Sequence, residues 1–163
     1  MEIRKASIED YTTIYDIAIP VWEATYKSIL NADQMEYMLN LMYSHEAVAE
    51  QIALKGHQFL LAANEGNYVG FASYEVNYRM ETTKIHKLYI LPEVHGKGIG
   101  KALLTVIEHA AKKNSNDKIV LNVNRFNPAL HFYHKTGFIN MGEDNIDIGN
   151  GHVMEDYLML KQL

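Results

Sequence analysis

The chain has 163 residues, 48% hydrophobic and 21% charged, a mixture that suits a single globular domain over 1–163 and excludes wholesale disorder. Fifteen basic against 20 acidic residues leave a net charge of −5, which argues against nucleic acid as the main partner and is compatible with a cationic substrate. Zero cysteine excludes disulfides, thiolate metal sites and a cysteine nucleophile.

Ile3-Arg4-Lys5-Ala6 is a short strand candidate, and Ser7-x-x-Asp10 reads as a capping box before Tyr11, Ile14, Ile17 and Ala18 at helical spacing. Pro20 is expected to end or kink that helix. A second helix is predicted over about 31–42, with Met35, Met38, Leu39 and Met42 on one face, and Ser44 is a cap candidate for a third. Phe59–Ala62 reads as a strand, Asn64–Asn67 as a turn, and 69–76 and 85–91 as two further strands. Ile99, Ala102, Leu103, Val106, Ile107 and Ala110 form the cleanest helical stripe in the chain. Ile119–Val123 is a β-branched strand. Pro128 opens a helix through Lys135 with Gly137 as its C-terminal stop, and Val153–Leu160 is a closing strand. This order points to an α/β (α+β) chain around one twisted sheet. No apolar run approaches the ~20 residues that cross a bilayer, and Met1-Glu2-Ile3-Arg4-Lys5 does not read as a signal peptide. No membrane partner and a cytoplasmic location are therefore expected.

The chemistry concentrates in Leu88-Tyr89-Ile90-Leu91-Pro92-Glu93-Val94-His95-Gly96-Lys97-Gly98-Ile99-Gly100-Lys101. A strand runs into a glycine-rich turn, and the turn runs into the best amphipathic helix. Glycines admit close backbone approach, the helix start offers free N–H groups and partial positive charge, and two lysines add full charges: together, a phosphate cradle. A Walker A loop is excluded by the short Gly96–Gly100 spacing and by Ala102 where Ser or Thr is needed. Gly96-x-Gly98-x-Gly100 is not the dinucleotide fingerprint either, and too little chain follows it for that fold.

His95-Gly96-Lys97-Gly98-Ile99-Gly100 resembles the acyl-CoA pyrophosphate loop of the GNAT N-acetyltransferases (Gln/Arg-x-x-Gly-x-Gly/Ala), with His in place of Gln or Arg. About 30 residues on, Asn127-Pro128-Ala129-Leu130-His131-Phe132-Tyr133-His134-Lys135-Thr136-Gly137-Phe138 is similar to that family's Asn-x-x-Ala-x-x-x-Tyr-x-x-x-Gly-Phe segment. Val21-Trp22-Glu23-Ala24-Thr25-Tyr26, Met42-Tyr43-Ser44 and the Asp147–Tyr157 stretch also resemble the PaiA-type spermidine/spermine acetyltransferases. The resemblance implies one central, mixed, mostly antiparallel twisted sheet flanked by helices. It also implies acetyl transfer from the cosubstrate acetyl-CoA to a primary amine by direct attack.

The resemblance implies that the backbones of Leu88, Tyr89 and Ile90 hold the pantetheine arm and polarise the thioester carbonyl. The pyrophosphate falls to His95, Gly96, Lys97, Gly98, Ile99, Gly100 and Lys101, and Asn127 and Lys135 complete the cosubstrate site. Tyr133 is the candidate general acid for the leaving thiolate. The general base stays open among His86, Glu75 and a water relay. Trp22, Tyr26, Glu23, Glu75 and His86 are candidates for the amine site, since aromatic faces and carboxylates suit ammonium groups. Core packing is the competing reading for Trp22 and Tyr26. His131-x-x-His134 lacks an obvious third ligand, so no metal is expected. The acceptor is read as a small amine such as a polyamine, with a peptide acceptor or a purely acyl-CoA-binding role as alternatives, and the assembly as monomer or homodimer.

Overall fold

The computed structural model describes residues 1–163 and builds them into one open seven-stranded sheet with helices on both faces. In chain order, β1 spans Glu2–Ala6, α1 Tyr11–Tyr26, α2 Ala32–Tyr43, α3 His45–Ala53 and β2 Gln58–Asn64. Then come β3 Asn67–Arg79, β4 Thr82–Ile90, α4 Ile99–Lys113, β5 Lys118–Asn124, α5 Ala129–Lys135, β6 Ile139–Gly149 and β7 His152–Gln162. The order across the sheet is β1-β2-β3-β4-β5-β7-β6, and only β4 and β5 run parallel. No helix is long and apolar enough to cross a membrane.

Local signals explain most boundaries. Ser7 and Asp10 form the reciprocal capping box, the Asn31 side chain caps α2 at Gln34 N, and Ser44 caps α3 at Ala47 N. The stripe of α4 (Ile99, Leu103, Ile107) packs on one sheet face with Tyr133 and Phe138. Ile14, Ala18 and Trp22 of α1 pack on the other with Tyr43 and Phe71.

One expectation is corrected, and one strand is added where the sequence reading assigned no element. Pro20 does not end α1, which continues to Tyr26. Pro20 and Asp16 both face solvent, so water can take the Asp16 carbonyl that the missing N–H leaves free. The segment after Gly137, unassigned from the sequence, is β6, an edge strand paired with β7. Its residues are almost all exposed, and its apolar alternation is confined to the pairs Ile139/Met141 and Ile146/Ile148, separated by the polar stretch 142–145. The β6–β7 turn is Asn150-Gly151, both at positive φ (52° and 75°), the pairing of residues a tight hairpin prefers.

One irregularity positions the site. In the β3–β4 register Ser73 faces Lys87 and Tyr74 faces Ile85, leaving His86 as the extra residue of a bulge. The bulge switches the alternation, so Ile85, Leu88 and Ile90 pack toward α4 while Lys87 and Tyr89 lie on the α1 face. Pairing of β4 with β5 stops at Ile85–Leu121. Beyond that point the two parallel strands are unpaired with each other.

Candidate active site

Leu91 N–H donates to the Val69 carbonyl at 2.9 Å, making that couple a hydrogen-bonded pair of the antiparallel ladder. By alternation Phe71–Tyr89 is another, and Gly70–Ile90 and Ala72–Leu88 are not. The backbone N–H and C=O groups of Leu88 and Ile90 therefore point away from β3, toward the side where β5 has left the ladder. A cavity of about 560 Å³ fills this opening and passes between α1 on one face and α4 and α5 on the other.

The cavity floor is built by the glycine turn. Gly96 and Gly98 sit at φ 81° and 80°, a left-handed conformation that L side chains rarely adopt, and an added Cβ would meet nothing within 4 Å at either. Glycine is required there by the backbone, not by space. Gly98 caps α4, and the first intrahelical bond runs from Ala102 N–H to the Gly98 carbonyl at 3.0 Å. The N–H groups of Ile99, Gly100 and Lys101 are thus left without helical acceptors, and all three residues line the cavity with Lys135. This donor set fits a pyrophosphate. Lys97 does not line it. The His95 ring folds back, Nε2 lying 2.9 Å from the Ile90 carbonyl. It touches the strand end at the position where the motif carries Gln or Arg.

Tyr133 lines the cavity, is 6% exposed and packs edge-on against Phe138. Burial pushes its phenol above the usual range. Asn127 accepts Ala129 N–H at 2.9 Å, capping the start of α5, and its amide donates to the Tyr26 hydroxyl at 3.4 Å. Tyr26, a cavity residue, is pushed up to about 12, chiefly by burial.

Trp22 does not reach the site. It is 1% exposed, packs on Tyr26 with ring centroids 4.4 Å apart and tilted by 36°, and donates Nε1–H to the Tyr43 hydroxyl, so it belongs to the core. Glu23 is exposed on the outer side of α1. Glu75 does not line the cavity, but it holds a residue that does: His86 Nε2 lies 3.0 Å from Glu75 Oε2. Burial, His57 and the lysines at 84, 87 and 55 depress His86 to about 2, so the neutral ring donates to the carboxylate. Lys87 is also buried, depressed to about 7, and donates to Gln51 Oε1 at 2.8 Å. The sequence named Glu75 and His86 separately. Their pairing, and His57 stacked on His86, bring together β3, β4 and the loop that enters β2.

His57, Glu75 and His86 bring one ligand atom each within 4.8 Å of one another. The two imidazoles are nearly parallel (12°), with centroids 3.8 Å apart. A bound metal lies in the plane of each imidazole, along the nitrogen lone pair. Planes only 12° apart and stacked at 3.8 Å do not meet within the ~2 Å of a metal–nitrogen bond, so this arrangement does not present a two-imidazole metal site.

Asp156 was not singled out by the sequence. It is 6% exposed, its Oδ1 has no partner, and burial followed by the charge of Asp144 raises it to about 6.

The glycine-floored cavity at a parting of two parallel strands is the architecture of an acyl-CoA N-acyltransferase, and the chain belongs to the GNAT acetyltransferase family, whose domain model matches residues 26–155. It is 33% identical over 143 residues to a spermidine N(1)-acetyltransferase of Thermoplasma acidophilum, covering 85% of this chain and 88% of the relative. An uncharacterised N-acetyltransferase of Bacillus subtilis is 27% identical over 157 residues, covering 94% and 88% of the two chains. Among solved structures, the PaiA N-acetyltransferase of T. acidophilum in complex with coenzyme A matches with a TM-score of 0.82 at 29% identity, over 99% of this chain and 98% of that one. The chain is an acetyl-CoA-dependent N-acetyltransferase acting on an amine acceptor.

Proposed function

We propose that residues 1–163 form one N-acetyltransferase domain that acetylates a primary amine of a small cationic molecule of the polyamine class. The observation that carries the cosubstrate site is the backbone of Leu88 and Ile90, turned away from β3 and unpaired with β5, beside the free N–H groups of α4. Support for the polyamine class comes from the spermidine acetyltransferase relative and from the acidic β6–β7 hairpin, which carries Glu143, Asp144, Asp147, Glu155 and Asp156.

Acetyl-CoA supplies an activated acyl group as a thioester. The Leu88 and Ile90 backbone groups pair with the pantetheine amides as a further strand would. A backbone N–H at the same strand end donates to the thioester carbonyl, where charge develops. The amides of Gly96, Gly98, Ile99, Gly100 and Lys101, with the Lys101 and Lys135 side chains, hold the pyrophosphate. Asn127 fixes the start of α5, which carries Tyr133 to the cavity wall. The Tyr133 hydroxyl gives a proton to the leaving sulfur. With His86 held neutral and poorly basic, the acceptor ammonium loses its proton by way of solvent in the cavity.

Free-thiol release from acetyl-CoA with spermidine, spermine, an aminoglycoside, free lysine and a lysine peptide tests this reading. Turnover with spermidine at micromolar to low-millimolar KM is the expected result. A clear preference for the peptide overturns the polyamine class, and no thiol release with any amine overturns the small-amine activity.

A further inference from the structure

On β7, Met154 packs into the α1-side core while Tyr157 and Met159 pack toward α4. Asp156, two residues beyond Met154, therefore faces α1. There its charge acts on the Tyr26 hydroxyl, which lines the cavity. Directly across the ladder from Asp156 stands Asp144 of β6, and Asn124 of β5 stands on the other side. Asp144 Oδ2 accepts from Asn122 Nδ2 at 2.8 Å, and Asn122 lines the cavity. Like charges directly opposite on neighbouring strands destabilise a sheet. No protein cation forms a salt bridge with this pair: Arg125 is engaged by Glu143 at 3.2 Å and Glu155 at 2.6 Å, and Lys84 acts on Asp156 only from beyond contact. Asp156 itself makes no salt bridge, and its buried Oδ1 has no hydrogen-bond donor. Neither carboxylate lines the cavity itself; each is linked to a residue that does, Asp144 to Asn122 and Asp156 to Tyr26, and a buried carboxylate with an empty acceptor position favours a cation brought to it.

We propose that Asp156, with Asp144 opposite it, receives the ammonium group of the acceptor amine beside Tyr26 and Asn122. The assignment rests on the acetyltransferase reading of the cavity and adds to it the residue that selects a cationic acceptor. Thr25 and Tyr26 of α1 and Asn122 of β5 line that part of the cavity, and the charged groups acting on Asp156 are Asp144 from β6 and Lys84 from β4.

Calorimetric titration of spermidine, and in parallel of a lysine peptide, into the protein–CoA complex reads the ammonium contact without turnover. Asp156→Asn keeps the side-chain shape and removes the charge. Its expected effect is at least tenfold weaker amine binding at pH 7.5, with CoA affinity within twofold of wild type; the amine that loses more identifies the source of the ammonium. The wild-type protein provides a second arm that needs no substitution. Asp156 titrates at about 6, so lowering the pH from 7.5 to 5 weakens amine binding about tenfold, and Asp156→Asn shows no such change. Unchanged amine affinity in Asp156→Asn, or no amine binding by the wild type, overturns the proposal. Thiol release measured on the same amines judges the acetyltransferase reading by itself. Turnover with charge-independent binding rejects only the Asp156 assignment, whereas charge-dependent binding without turnover rejects only the activity.

Discussion

A group that protonates a leaving thiolate must still hold its proton when the C–S bond breaks. Burial keeps the Tyr133 phenol protonated through neutral pH, which suits that task. Tyr133→Phe removes one oxygen from a cavity wall and leaves the ring against Phe138. The expected outcome is a fall in kcat of about 10²-fold or more, with kcat/KM falling in proportion and CoA affinity within twofold, measured by thiol release and calorimetry. Asp156 makes the complementary case, a residue that weakens the fold. Its folded pKa of about 6 stands above the ordinary 3.8, so the folded protein binds that proton more tightly than the unfolded chain. Its contribution is therefore fully favourable below about 4 and is lost as pH rises through about 6. A carboxyl moved from 3.8 to about 6 loses at most about 3 kcal/mol at pH 7.5, reduced by whatever solvent screening the site retains. Asp156→Asn should make the amine-free protein more stable at pH 7.5, by up to about that amount, with the gain vanishing toward pH 4; urea unfolding at the two pH values measures it. Tyr133 and the glycine turn were legible in the sequence because each motif is contiguous and has a local physical meaning. Glu75–His86–His57 was not, because the contact joins β3, β4 and the loop that enters β2 through a bulge. Asp156 reads in sequence as one acid among several in a polar stretch, and only the pairing of β6 with β7 shows it to be buried.

At the scale of elements, the turn between β4 and α4 carries the clearest backbone requirement. Gly98 holds φ 80° at the N-cap of α4, where a Cβ has room but the conformation penalises any L side chain. Gly98→Ala should destabilise the protein by about 1–2 kcal/mol. Relaxation of the turn also moves the free N–H groups of Ile99 and Gly100, so CoA affinity should fall several-fold. Gly66→Ala serves as the control: that residue has a similar φ of 81°, lies in the β2–β3 turn and is remote from the cavity, so it should lose stability without losing CoA affinity. Urea unfolding and calorimetry separate the two effects. The helices were legible because Ser7, Asn31 and Ser44 mark their starts and apolar stripes mark their buried faces. Pro20 misled because the rule for proline assumes a carbonyl that needs its partner, whereas Asp16 faces water. β6 is hard to read because its alternation, Ile139/Met141 and Ile146/Ile148, is broken by the polar stretch 142–145 of an exposed edge strand. Asn150-Gly151 was the available signal for that hairpin.

Across the whole molecule, the ladder that binds the sheet together is interrupted where the cosubstrate enters. Every other neighbouring pair is antiparallel, and the one parallel pair stops after four residue couples, from Thr82–Lys118 to Ile85–Leu121. The bulge at His86 turns β4 just beyond that point, so the sheet exchanges strand pairing for an opening lined by unsatisfied backbone. The free protein must then rely on solvent for the amides of Leu88 and Ile90, while Tyr89, two residues from the Leu91–Val69 bond on the same side of the strand, stays paired with Phe71. Amide hydrogen exchange reads this alternation directly. In the free protein Leu88 and Ile90 should exchange fast and Tyr89 slowly. Saturation with CoA should protect Leu88 and Ile90 and leave Tyr89 unchanged, because a ligand that pairs with β4 as a strand touches only the side that β5 has left. At 100 times its Kd, CoA should also raise global stability by about 2.7 kcal/mol, so residues of the α4-side core gain uniform protection on top of the alternating pattern. Equal protection of residues 88, 89 and 90 by CoA would instead mean that the cosubstrate only stabilises the fold and makes no strand-like contact with β4.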